Sequence, residues 1–130
     1  MSDAFAAWRF EPRRVEKPWG YELIWAVSEI YVGKVLFVKA GESLSLQYHE
    51  QKDESWFVQS GRGRLELGVE GSGELVEAEI GTGDSFRYRP GTVHRVTSIE
   101  DTTILEVSTP HLEDVVRLED AYGREGTSAP

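Results

Sequence analysis

Along most of the chain, apolar and polar residues alternate in short runs divided by glycine-rich punctuation. A period of two is what a strand with one buried face produces. It predicts strands over Tyr21 to Val27, Tyr31 to Lys39, Ser43 to His49, Glu54 to Ser60, Arg64 to Val69, Leu75 to Ile80, Ser85 to Tyr88, His94 to Ser98 and Thr103 to Ser108. The intervening "AGE", "SGRG", "EGSGE", "GTGD" and "RPGT" are residues that tolerate tight turns or positive φ, and "EGSGE" reads as a hairpin tip. Almost no helical stripe precedes residue 110. After it, "HLEDVVRLEDAYGRE" reads either as a short helical or irregular segment or as a strand followed by a turn. Short strands with no room for crossover helices predict an antiparallel all-β fold: a sandwich, a jelly roll or a closed barrel. A single-domain jelly-roll barrel over residues 15–125 is the favoured form, with an N-terminal arm at 1–14 and a frayed end at 126–130.

At 130 residues the chain is long enough to bury the core such a domain needs. Its formal net charge of -9 opposes nucleic acid and anionic membrane surfaces. The sequence has no cysteine, so disulfides, thiolate metal sites and cysteine nucleophiles are excluded together. No apolar run approaches the ~18 residues of a membrane span, and the first residues lack the apolar stretch of a signal peptide. The expected location is the cytoplasm.

The chemistry concentrates in "LQYHEQKDESW", in a chain with only three histidines. Alternation puts Ser43, Ser45, Gln47 and His49 on one face of their strand. If that face meets water, Gln47 and His49 need no partner. Glu54 opens the other reading, because it shares a face with Trp56 and Val58, and an unpaired carboxylate on an interior face costs several kcal/mol. Further on, "YRPGTVHRV" puts His94 at the head of a strand, facing the same way as Val96. Two imidazoles, a carboxylate and an amide oxygen form a donor set for a borderline divalent cation such as Zn, Mn, Fe or Ni.

The spacing of these residues resembles the two cupin motifs. Gly41, Gln47, His49, Glu54 and Gly61 are separated by five, one, four and six residues, with Gln47 where the first motif usually has His. Gly83, Arg89, Gly91 and His94 are separated by five, one and two residues, with Arg89 in place of the second motif's Pro and Ser98 where Asn is usual. Beyond these, "KPWGYELIW", "VKAGESLSLQYHEQKDESWFVQSG" and "EDVVRLEDAYGR" resemble the C-terminal cupin domain of type II mannose-6-phosphate isomerases. In that branch a Gln normally stands where Gln47 does, and the domain usually follows a mannose-1-phosphate guanylyltransferase domain, which these residues do not contain.

The resemblance implies a metal-dependent interconversion of mannose 6-phosphate and fructose 6-phosphate. Gln47, His49, Glu54 and His94 would hold one divalent ion, with Zn expected and Mn, Fe or Ni as alternatives. The catalytic candidates are Glu106 and Lys52. Alternation gives Glu106 the face of Ile104 and Ser108, which is either the interior or an edge in water. Lys52 stands where the family commonly has Arg, and it keeps the charge without the bidentate fork. Lys52, in a loop over the mouth, is also a phosphate candidate, as are Arg117 and Arg124 of "VRLEDAYGR"; each could equally be a solvated charge. Arg95 should turn away from the site, and His111 lies outside both motifs. The expected partner is a small sugar phosphate, with no nucleic acid and no membrane, and the resemblance implies a homodimer. The rival readings are an Fe(II)-type dioxygenase, a non-catalytic sugar-binding cupin, and an isomerase of another sugar phosphate.

Overall fold

The computed structural model describes residues 3–125 and is almost entirely β. In chain order the strands are β1 (Arg13–Lys17), β2 (Gly20–Val27), β3 (Val32–Val38), β4 (Leu46–Tyr48), β5 (Glu54–Ser60), β6 (Arg62–Val69), β7 (Leu75–Gly81), β8 (Ser85–Tyr88), β9 (Thr92–Ser98), β10 (Thr102–Ser108) and β11 (Val116–Glu119). One sheet runs β1-β2-β3-β10-β5-β8 and the other β11-β4-β9-β6-β7, with every pairing antiparallel. Among the described residues no hydrogen-bonded seam joins the two sheets. The expected barrel is therefore a two-sheet jelly roll rather than a closed ring.

The nine alternating segments all become strands, although Ser43 to Ser45 contributes only a bridge, Ser43 to Thr97, before β4 begins. "EGSGE" is the β6–β7 hairpin tip, where Gly71 and Gly73 take φ of 79° and 71°. One strand was not legible, and the sequence leaves a second open. β1, "RRVEK", crosses the expected arm boundary and pairs with β2. Four of its five residues are charged, and Lys17 shares the half-buried face with Val15, so the strand carries no apolar alternation to read. Of the two readings of the C-terminal segment, the strand followed by a turn is the one formed, as β11 and the residues after it. The frayed end expected at 126–130 lies outside the described residues.

The core lies between the sheets and is built from Leu36, Val38, Trp56, Val58, Tyr88, Val96 and Ile104. Trp56 and Tyr88 meet edge to face at 4.9 Å, and the Tyr88 ring stacks on His94 at 4.4 Å. The hydrophobic packing therefore runs directly into the polar cluster and fixes the plane of one imidazole. On the outer face of the first sheet, Leu105 stands opposite Phe57 and Val35 in register. Beside them Trp25, Phe57, Leu105 and Val107 are all exposed. The Trp25 indole lies over Gly33, where an added Cβ would sit 2.7 Å from the ring. This leaves an apolar face on the surface of an otherwise acidic protein.

Candidate metal centre and its cavity

A cavity of about 760 Å³ opens between the sheets. Ser45, Gln47 and His49 line it from one sheet, and Glu54, Trp56 and Glu106 from the other, so the faces that alternation leaves open between water and interior both turn inward. His49, Glu54 and His94 are all buried, and one ligand atom from each lies within 4.8 Å of the others. His94 Nε2 is 2.9 Å from Glu54 Oε1, and His49 Nε2 is 3.6 Å from Glu54 Oε2.

Both imidazoles are oriented by the backbone. His49 Nδ1 donates to the carbonyl of Asp114, and His94 Nδ1 donates to that of Thr92 at 2.9 Å. A carbonyl can only accept, so in each neutral ring the Nε2 lone pair is left aimed at the carboxylate. His49 Nε2 is buried without a hydrogen-bond partner. Lone pairs facing lone pairs in a buried site are unfavourable until a cation lies between them, and ligand spacings of ~3 Å suit bonds of ~2.1 Å. The residues present therefore fit a divalent metal. Gln47 is the register partner of His94 and lines the same cavity. Its amide nitrogen donates to Ser45 Oγ at 3.1 Å, which leaves the carbonyl oxygen as the end a cation would take.

Lys52 does not stand over the mouth as expected. Its side chain is buried, with Nζ 2.8 Å from Glu54 Oε2 and 3.3 Å from Glu106 Oε2. At 2.8 Å the Lys52 charge lies directly against Glu54 Oε2, an oxygen that keeps further lone pairs for a metal. Burial opposes the ammonium charge, but Glu106 and Glu54 outweigh it and raise the Lys52 pKa, so the group stays protonated. Burial would likewise raise the Glu54 carboxyl; the Lys52 charge against it outweighs that and holds the group well below its ordinary value.

Glu106 faces the interior and not water. Its Oε1 accepts from the Trp56 indole at 3.0 Å and its Oε2 from Lys52. Arg117 and Arg124 line the same cavity, and Arg124 is also held by Asp120, with Nε 2.9 Å from Oδ2. Arg95 turns outward to Glu66 at 2.8 Å, and His111 bonds Thr109 away from the site, as the sequence predicts. The sequence reading did not pick out Lys17, Glu22 and Lys34, which line the cavity, or the indole donor of Trp56. A signal for Lys34 was available: in "VGKVLFV" it shares a face with Leu36 and Val38, an inward-pointing lysine.

Comparison with known proteins follows the same lines. The model of the cupin domain family matches residues 34–108. The chain is 37% identical over 120 residues to mannose-1-phosphate guanylyltransferase ManC of Salmonella typhimurium, covering 86% of this chain and 23% of that protein. It is 33% identical over 119 residues to the xanthan biosynthesis protein XanB of Xanthomonas campestris, covering 86% and 24%. The chain thus spans about a quarter of the length of these relatives. Among solved structures, the capsular polysaccharide assembling protein CapF of Staphylococcus aureus superposes with a TM-score of 0.75 at 16% identity, over 87% of this chain and 33% of that one. Oxalate decarboxylase of Bacillus subtilis gives 0.71 at 19% identity, over 83% and 30%. Among the described residues no helix is long and apolar enough to cross a membrane. With the family match covering the strands that carry Glu54, His94 and Glu106, this chain belongs to the cupin domain family.

Proposed function

We propose that the protein is a metal-dependent sugar-phosphate isomerase that interconverts mannose 6-phosphate and fructose 6-phosphate. One observation carries this reading: beside the three metal-type ligands lies a further buried acid-base pair, Glu106 and Lys52, which a site for binding alone does not require. The likeness to mannose-1-phosphate guanylyltransferases supports the choice of sugar.

His49, Glu54 and His94, with the Gln47 carbonyl oxygen, would hold the ion, with zinc first and Mn, Fe or Ni as alternatives. When bound, it supplies a Lewis acid for the carbonyl and hydroxyl oxygens at the reacting carbons. Glu106 is the base that takes the proton from C2 of the aldose as negative charge builds on the C1 oxygen. The protonated carboxyl then returns a proton to C1, while a hydroxyl proton passes from O2 to O1, and the sugar leaves as the ketose with no net change in atoms or charge. Trp56 and Lys52 fix both oxygens of Glu106. The Lys52 ammonium adds a fixed positive charge where the oxyanion forms.

The test is an assay of both hexose 6-phosphates on metal-loaded protein. Interconversion that is lost on removing the metal supports the reading, whereas tight metal binding without turnover of either sugar overturns it. We place the activity in the cytoplasm, where sugar phosphates are available, and assign the apolar outer face around Trp25 and Leu105 to a homodimer contact.

A further inference from the structure

The cavity extends well beyond Glu54. Inner-face positions step across the first sheet from Trp56 on β5 to Glu106 on β10, Lys34 on β3, Glu22 on β2 and Lys17 at the end of β1. Glu106 is the register partner of both Trp56 and Lys34, so the backbones of those two residues stand two strand spacings apart, roughly 10 Å. Lys17 and Lys34 have side chains only 8% and 7% exposed, and they share a single carboxylate, Glu22, at 3.9 and 3.4 Å. Arg117, also buried, lines the cavity from β11 on the opposite sheet.

Two buried ammonium groups on one carboxylate leave positive charge uncompensated in a region of low dielectric, an arrangement that favours an incoming anion. The Lys17 ammonium reflects this: burial pushes its pKa down, Glu22 opposes, and the charges of Lys34, Arg124 and Arg117 push it down again. The wider lining agrees. Seven of the chain's fourteen lysines and arginines line this one cavity, against six of its twenty-three carboxylates, so the site draws anions in a protein that otherwise repels them.

We propose that Lys17 and Lys34, with Arg117 across the cavity, form the subsite for the phosphate of a substrate whose reacting end lies at Glu54 and Glu106. The identity of that substrate rests on the isomerase reading; the anion subsite rests on charge and geometry. Lys52 has no part in it, because its ammonium is already committed between two carboxylates. The separation also sets specificity: Lys17 on β1 stands three strands from Glu106 on β10, so a phosphate on the carbon farthest from the reacting pair reaches the lysines, and a phosphate on C1 does not.

Calorimetric titration of metal-free protein tests this, because without a metal the phosphate has only the cationic end to bind. The probes are mannose 6-phosphate, mannose 1-phosphate, inorganic phosphate and mannose. Wild-type protein should prefer the 6-phosphate; Lys34→Gln and Lys17→Gln should each weaken it at least tenfold, and Lys34→Arg should restore most of the affinity. Thermal melts establish that each variant is folded. Equal affinity in wild type and both Gln variants overturns the subsite, as does failure of the wild type to bind mannose 6-phosphate. The two readings fail separately. Wild-type protein that does not isomerise but needs Lys34 for phosphate binding sinks the isomerase and keeps the subsite. Isomerisation with unchanged KM in both Gln variants does the reverse.

Discussion

The backbone carbonyl of Asp114 accepts the Nδ1–H of His49, while the carboxylate of the same residue accepts the amide N–H groups of Glu50, Gln51 and Lys52 at 3.0, 2.7 and 2.9 Å. One residue from the segment before β11 thus orients a metal-type ligand and caps the loop that carries Lys52. Three backbone donors on one carboxylate resemble the capping of a helix N-terminus, where loss of the side chain costs roughly 1–2 kcal/mol. Asp114→Ala should lower the melting temperature by several degrees. It should also weaken metal binding about tenfold through the loosened loop, as read by calorimetry with zinc. Unchanged metal affinity would show that the carbonyl alone positions His49.

Acid should destabilise the metal-free protein in a defined window. Burial raises the Asp114 carboxyl, but the three amide donors outweigh it and hold the group below its ordinary 3.8, and Glu54 is held well below 4.5. For carboxyls whose folded pKa is depressed, the unfolded chain binds more protons in acid. Their stabilisation is complete above the ordinary values and is lost as pH falls through the folded ones. The melting temperature should therefore fall as pH drops below about 4.5, and Asp114→Asn should make that decline shallower. An identical acid limb in the variant would refute the assignment.

Metal binding should stabilise the fold by mass action, by about 2.7 kcal/mol at one hundred times the dissociation constant. His49→Ala, Glu54→Gln and His94→Ala should each abolish the metal-dependent rise in melting temperature. Metal content measured on the purified variants checks the same point independently. Gln47→Ala should weaken binding and leave it detectable, because an amide oxygen is the weakest donor of the set.

Glu106→Gln keeps the size of the side chain and an oxygen to accept from Trp56 or Lys52, but it removes the base. Metal content should be unchanged, and kcat for hexose 6-phosphate interconversion should fall by about 10²–10⁴. Lys52→Met leaves Glu54 and Glu106 buried without their shared cation, so it should lower stability as well as activity.

The exposed outer face predicts the oligomeric state. Leu105→Glu sets a charge in the middle of the patch formed with Phe57 and Val107. It should convert a dimer to monomers in sedimentation or light scattering and leave the cavity intact. A wild-type protein that is monomeric at micromolar concentration would remove the contact.

The strand content and the cluster of Gln47, His49, Glu54 and His94 were legible in the sequence. Alternation and motif spacing are local properties that the backbone translates directly into faces and registers. The same rule turned Arg95 away from the site and gave Glu106 the face of Ile104 and Ser108, and only the structure made that face interior rather than an edge in water. β1 was not legible and the sequence leaves β11 open between a helical or irregular segment and a strand, because a charged edge strand and a short C-terminal one owe their state to the neighbours they pair with. The fate of Lys52 lay equally beyond it. A lysine in a polar loop reads as solvated, and only the approach of β10 to β5 brings Glu106 and Glu54 together around its ammonium. The sequence by itself thus determined which side chains share a face. Only the tertiary structure decided which charges meet across faces, because ion pairing in a buried site depends on distances between strands far apart in the chain.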